Sequence, residues 1–258
     1  MVIGYPLTHS QSPLLHNMIY QQLDINAIFV AKPHVKLSAL IDAIKTFSIG
    51  LTAVTLPYKE KVLKFLDHCS PEVRAIGAAN TIIQKKDKLF GYNTDVDGIA
   101  FAFRHVSIKN KQTLIIGAGG AARALAYFLK KNHAKIFWLN RTQHKAKILA
   151  KKFGGTVIKH EALGSINIDI IINTTPSYSP LPNYIFNAKQ IVFDMVYNPM
   201  MTCLLKAAKK KKATIISGLD MFIGQGLKQI ALLIDQRIHV STNKLRKILI
   251  KDQQERCV

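Results

Sequence analysis

Thr113-Leu114-Ile115-Ile116-Gly117-Ala118-Gly119-Gly120-Ala121-Ala122-Arg123 is the stretch on which the fold turns. Four residues of strand character run into a glycine-rich turn, and an apolar helical pattern follows through Leu129. The turn fits G-x-G-x-x-G/A, with Ala122 in the third place. Gly117 permits a tight turn, Gly119 lets the backbone approach a pyrophosphate, and Ala122 allows close helix–strand packing. Ala118, Gly120 and Ala121 complete the loop, whose helix N-terminus offers N–H groups and a positive partial charge to phosphates. A lone glycine pattern is weak. A buried strand before it and a helix after it are the context it requires.

Outward from this loop the second half keeps a strict rhythm, with apolar runs at 113–116, 135–139, 156–158, 168–172, 190–193 and 214–216. These runs are continuous rather than alternating, as in parallel strands buried on both faces. Helical segments separate most of them, which predicts βαβ units and a doubly wound sheet. The first half is also α/β: short strands at 27–31, 51–55 and 81–84, with helices at 36–47 and 59–67. Ser12 is expected to cap a first helix, with Pro13 at its first position. Lysines and Asp87 split 81–92 into a hairpin.

The strand after the glycine loop selects the cofactor. Folds of this kind that bind NAD usually place a carboxylate about 20 residues beyond the glycines, on the ribose 2′-OH. Here that strand ends in Asn140-Arg141-Thr142, with Lys145 following. Arg141 can fork onto a 2′-phosphate, Thr142 can donate to it, and Lys145 adds a point charge. Cations at a helix N-terminus oppose its dipole unless an anion joins them. The pattern favours NADP(H).

Composition narrows the remaining choices. The chain has 258 residues, 48% of them hydrophobic, enough for one large or two modest domains. No apolar run approaches the roughly 18 residues of a bilayer span. A strand-like Val2-Ile3-Gly4-Tyr5 leaves no space for a secretion signal. Cys69, Cys203 and Cys257 lack CxxC spacing and read as reduced thiols of a cytoplasmic protein, with no metal site. The net charge of +21 invites a nucleic-acid reading, but the lysines are scattered over the chain, as on a solvated surface. No zinc-finger, RNA-recognition or helix-turn-helix signature supports specific nucleic-acid binding.

Chemistry-bearing residues collect in the first half. Ser10-Gln11-Ser12-Pro13 sets two hydroxyls at a helix N-terminus, a natural seat for a carboxylate. Thr55-Leu56-Pro57-Tyr58-Lys59 follows a strand and leads into a helix; Asn80-Thr81 and Asn93-Thr94-Asp95 sit at further strand ends. Each has a plain structural explanation: Ser12 as a cap, Asn80 as a turn residue, Lys59 as a surface cation. Their common place at strand termini argues for one pocket.

Taken in order, these motifs resemble the shikimate dehydrogenase family along the whole chain. The match comprises S-x-S-P (Ser10, Ser12, Pro13), V-T-x-P-x-K (Val54 to Lys59) and G-A-x-N-T (Gly77 to Thr81). It continues through N-T-D (Asn93 to Asp95), G-A-G-G-A, N-R-T-x-x-K, Asp194 to Tyr197, and Gly218-Leu219 followed by Gln225. The resemblance implies reversible reduction of 3-dehydroshikimate to shikimate with NADPH, on the path to chorismate and the aromatic amino acids. It implies two α/β domains around a cleft, the second a Rossmann-type doubly wound sheet. Their expected extents are 1–95 plus 219–258 for substrate binding and catalysis, and 96–218 for NADP.

By the same resemblance, Ser10 and Ser12 hold the substrate carboxylate. Thr55, Asn80, Asp95 and Gln225 contact ring hydroxyls, Tyr197 lines the site, and Met195 and Gly218 flank the nicotinamide. Lys59 and Asp95 form the catalytic pair. Negative charge grows on the carbonyl oxygen as hydride arrives, and a protonated Lys59 stabilises it and supplies the proton. Three departures from the family pattern stand out: Ala53 where N-V-T is usual, Thr174-Thr175-Pro176-Ser177 in place of A-T-S-x, and Asp220 at a position where glycine is common. Neighbouring readings are a quinate/shikimate dehydrogenase and a methylenetetrahydrofolate dehydrogenase-like enzyme; the S-x-S and N-T-D motifs speak against the latter. The expected partner is the small-molecule substrate, with the protein a monomer or homodimer, away from membranes.

Cofactor choice is directly measurable. With about 1.5–3 kcal/mol per charge-assisted hydrogen bond, NADP⁺ should be preferred to NAD⁺ on the order of 10²-fold in kcat/KM. Changing Asn140 to Asp and Arg141 to a neutral residue should remove most of that preference. An unchanged ratio in the double variant would place the 2′-phosphate elsewhere.

Overall fold

A computed structural model describes residues 1–8 and 10–255; Cys257 lies outside them. The chain divides into two units, residues 1–98 with 223–258, and residues 99–222. In chain order the first unit opens with β1 (Val2–Gly4), α1 (Ser12–Gln22), β2 (Ala31–Pro33), α2 (Leu37–Thr46) and β3 (Leu51–Val54). It continues with β4 (His68–Cys69), α3 (Pro71–Ile76), β5 (Thr81–Lys85), β6 (Lys88–Tyr92) and the start of α4 (Asp95–Ala102).

These strands form a mixed sheet in the order β2-β1-β3-β5-β6-β4, parallel at β2-β1-β3 and β6-β4 and antiparallel at β3-β5-β6. The β5–β6 hairpin turns on Lys86 and Asp87, both at positive φ, the two-residue geometry that matches strand twist. Helix α2 buries Leu37, Leu40, Ile41 and Ile44, a spacing that lines one helical face against Ile3, Val54 and Ile82.

Three local expectations are corrected. Residues 27–30 do not extend the strand: the Asn17 side chain takes both the N–H (2.7 Å) and the carbonyl (3.0 Å) of Phe29, so pairing begins only at Ala31. Ser12 does not cap α1. Gln11 occupies the cap position without a capping bond, and Ser12 is already helical. Residues 59–67 do not form an α-helix. The Lys59 carbonyl accepts from the Ala79 N–H at 2.8 Å instead of starting a ladder, and only a 3-10 turn over Lys61–Phe65 follows.

The second unit holds β7 (Gln112–Ile116), α5 (Gly120–Lys131), β8 (Lys135–Leu139), α6 (Gln143–Phe153) and β9 (Thr156–Val157). Then come β10 (Ile170–Asn173), β11 (Ile191–Asp194), α7 (Cys203–Lys210) and β12 (Thr214–Ser217). All six strands are parallel, in the order β12-β11-β10-β7-β8-β9. Counted from β7, this is the 3-2-1-4-5-6 order of dinucleotide-binding sheets. Helix α8 (Gly218–Ile234) spans the boundary between the units, and α9 (Thr242–Glu255) ends the first. Among the described residues, no helix is long and apolar enough to cross a membrane.

Among the buried titratable residues of the first unit is a histidine. His16, fully buried on α1, stacks on Phe29 at 3.9 Å between centroids. Burial pushes it down to about 4 from its ordinary 6.5. Between those values the unfolded chain holds a proton that the folded chain does not. The stability that depends on neutral His16 is therefore complete above about pH 6.5 and is lost as pH falls through about 4. His16→Leu should give a melting temperature that changes less between pH 6.5 and 4 than that of the wild type. Parallel curves would show that His16 does not carry the dependence.

Candidate active site

Lys59, in the turn after β3, and Asp95, the first residue of α4, meet at 2.5 Å between Nζ and Oδ2. Their side chains retain 15% and 6% exposure, so the pair is shielded but within reach of a ligand. The other carboxylate oxygen, Oδ1, accepts from Asn80 Nδ2 at 2.9 Å. Asn80 also donates to Thr94 Oγ1 at 3.0 Å, while its oxygen accepts from the Thr94 N–H (2.7 Å) and the Thr81 hydroxyl (2.9 Å). Both amide hydrogens and both acceptor positions of this nearly inaccessible side chain are thus engaged inside the protein. That arrangement suits Asn80 to holding Asp95.

Ser10 and Ser12 stand at the entrance of α1, where the Ser12 N–H donates to Ser10 Oγ at 3.4 Å. The residue between them is fully buried. Gln11 donates to Asp252 Oδ2 (2.7 Å) and the Leu249 carbonyl (3.2 Å) of α9 and accepts from Gln253 (2.8 Å). These bonds fasten the hydroxyl-bearing turn to the last helix. Thr55 gives its N–H to the Ile3 carbonyl, and its methyl sits where a Cβ on Gly4 would stand, at 2.5 Å. Gln225 lies one helical turn before Gln229 on α8, hence on the same face. Ala53 packs in the core of β3 opposite Thr81.

A second set of residues converges at the carboxyl ends of β7, β8, β10, β11 and β12. Gly117 has a φ of 113°, and a Cβ there would meet Thr174 Oγ1 at 2.4 Å. Gly119 caps α5 with no side-chain bond, and a Cβ on it would meet nothing within 4 Å. The loop therefore leaves open space against the start of α5, whose N-terminal N–H groups carry a positive partial charge. Arg141, Thr142 and Lys145 are exposed at the start of α6, where Asn140 Nδ2 fixes the turn through the Thr142 carbonyl at 2.8 Å. Met195 and Gly218 are in contact: a Cβ on Gly218 would stand 2.5 Å from the Met195 carbonyl oxygen. The Tyr197 ring stacks on Phe222 at 4.3 Å.

The departing segment after β10 is tightly organised. Asn173 accepts from the Thr175 N–H (3.0 Å) and hydroxyl (2.7 Å) and donates to the Ser177 carbonyl (2.8 Å). Asn173 also donates to Asp194, whose other oxygen accepts from Thr202 at 2.6 Å. Burial pushes the Asp194 carboxyl up, while these bonds pull it back. Asp220 pairs with Arg104 at 3.3 Å. Gln11, His16 and Gln229 escape a reading of the sequence because glutamine and histidine on helix patterns look like surface residues. Only their burial distinguishes them.

Residues 2–82 match the family model described as "Shikimate dehydrogenase substrate binding domain", and residues 100–196 that of "Shikimate / quinate 5-dehydrogenase". The chain is 35% identical over 261 residues to the shikimate dehydrogenase (NADP(+)) of Maridesulfovibrio salexigens, covering 97% of this chain and 95% of that protein. It is 40% identical over 240 residues to the Pyrococcus furiosus enzyme of the same name, covering 90% and 88%. Among solved structures, shikimate 5-dehydrogenase from Thermus thermophilus in complex with NADP(H) and shikimate superposes with a TM-score of 0.81 at 31% identity, covering 92% and 94%.

Proposed function

The chain belongs to the shikimate dehydrogenase family, and we propose that Lys59 and Asp95 are the acid–base centre of its reaction. It is an NADP-dependent oxidoreductase that interconverts shikimate and 3-dehydroshikimate, a secondary alcohol and its ketone. The observation that carries the site assignment is the 2.5 Å Lys59–Asp95 contact, backed by Asn80 and shielded from water.

Bound NADPH supplies the hydride that reaches the ketone carbon. Negative charge then develops on the carbonyl oxygen, and the Lys59 ammonium stabilises it and delivers the proton. In the oxidative direction neutral Lys59 takes the hydroxyl proton. Asp95, oriented by Asn80, holds Lys59 through Oδ2 and presents its carboxylate to a neighbouring substrate hydroxyl. Ser10 and Ser12 bind the ring carboxylate at the entrance of α1. Thr55 and Gln225 contact further hydroxyls. The saturated amide of Asn80 acts on the substrate through Asp95.

On the cofactor side, the Gly117–Ala121 loop and the uncapped start of α5 receive the pyrophosphate. Asn140, Arg141, Thr142 and Lys145 receive the 2′-phosphate. Met195 and Gly218, pressed together, form the wall for the nicotinamide, and Tyr197 lines the substrate site. The free thiols of Cys69 and Cys203 support a cytoplasmic setting.

Lys59→Ala should lower kcat about 10²–10⁴-fold with a much smaller change in KM, as for loss of a positioned acid–base group; near-normal turnover at saturating shikimate would remove Lys59 from the mechanism. Converting both Ser10 and Ser12 to Ala should chiefly raise KM for shikimate, because the carboxylate does not react. Unchanged affinity in the folded double variant would seat the carboxylate elsewhere.

A further inference from the structure

Gln229 on α8 is fully buried, and its amide touches two other elements. Its Oε1 lies 2.8 Å from His16 Nε2 on α1, and its Nε2 lies 2.9 Å from Thr81 Oγ1 on β5. The other ring nitrogen, His16 Nδ1, faces the Ser12 carbonyl at 2.8 Å. From Thr81 the row of polar contacts continues to Asn80 (2.9 Å), Asp95 (2.9 Å) and Lys59 (2.5 Å). An unbroken line of hydrogen bonds therefore joins His16 on α1 to the Lys59–Asp95 pair, through the interior of one unit.

We propose that Gln229 is a positioning residue for the reaction: by bridging His16 to Thr81 it fixes the Thr81–Asn80 pair, and through it the orientation of the Asp95 carboxylate against Lys59. The proposal rests on the reading of Lys59 and Asp95 as the acid–base centre. It concerns a residue that touches neither substrate nor cofactor in that reading.

Two physical points support it. First, Asn80 has no spare hydrogen-bonding position, so its orientation is set by its neighbours, and one of these is the Thr81 hydroxyl that Gln229 holds. Second, the amide reaches both neighbours at once: its NH2 donates to Thr81 Oγ1, which leaves the single Thr81 hydroxyl hydrogen for Asn80 Oδ1, and its oxygen accepts from an Nε2–H of His16. Fully satisfied buried networks rigidify what they contain, and a partly satisfied one is costly.

Gln229→Met keeps the length of the side chain and removes both bonds. Shikimate oxidation by this variant should show kcat lowered about 10-fold, with KM for shikimate and for NADP⁺ changed less than about 3-fold. Thr81→Val breaks the same link from the other end and should give the same split; it carries the test alone if Gln229→Met does not fold. In a Lys59→Ala background, either substitution should lower kcat less than about 2-fold further, because residues acting through one another are not additive. Turnover within 2-fold of wild type in a folded Gln229→Met or Thr81→Val would overturn the proposal. So would a 10-fold loss that persists without Lys59, since that is the mark of a role in packing alone. Failure of the underlying site reading is seen separately, as near-normal turnover by Lys59→Ala with Gln229 intact.

Discussion

The arrangement of the first unit depends on the saturated amide of Asn80. That one side chain ties the end of β5, through Thr81, to the Thr94 turn and the first residue of α4. Strands and helices are rigid, but the turns between them are not, and both members of the Lys59–Asp95 pair sit on turns or helix starts. Asn80 removes that freedom for Asp95 with bonds of 2.7–3.0 Å. Lys59 is constrained from the other side, since its carbonyl is held by Ala79, next in sequence to Asn80. Backbone and side chain of adjacent residues thus fix the two partners of one ion pair. A buried pair of this kind gains little stability against desolvation, so its worth is better sought in function than in fold.

The second unit uses shape where the first uses hydrogen bonds. Gly117 and Gly218 are required because another chain segment occupies the place of a side chain, Thr174 in one case and the Met195–Val196 backbone in the other. Gly119 differs from both: the space beside it is open. Two glycines are thus needed for protein packing and one stands beside open space, a distinction that the letter G in a motif conceals. The buried Asp194–Asn173–Thr202 set then holds the segment after β10 and the Met195 strand end as one piece.

Much of this was legible in the sequence, for physical reasons. Parallel strands buried on both faces need continuous apolar runs, so β7, β8 and β10 to β12 could be placed to within a residue or two. Lys59, Asn80 and Asp95 stand out in the sequence because strand termini are where α/β folds put chemistry, and the structure brings the three into one hydrogen-bonded set. Strand 27–31, the cap at Ser12 and the helix at 59–67 were misread for a common reason. Each was decided by a long-range bond, from Asn17, from Gln11 to α9, or from Ala79, that no local pattern records. Gln229 was invisible on the same grounds, since i, i+4 spacing from Gln225 gives a face but not what that face touches.

The net charge of +21 gains meaning from where cations stand. Arg141 and Lys145 are exposed at the start of α6, and among the described residues no carboxylate pairs with them. Their field reaches outward, steers anions and is weakened by salt over a length of about 8 Å at physiological ionic strength. Lys59 is the opposite case: one largely covered ammonium, paired at short range, which mobile ions screen far less. A surface rich in lysine can therefore draw in anions without perturbing the covered Lys59–Asp95 pair. Long-range attraction and short-range pairing fall to different cations, and burial keeps them apart.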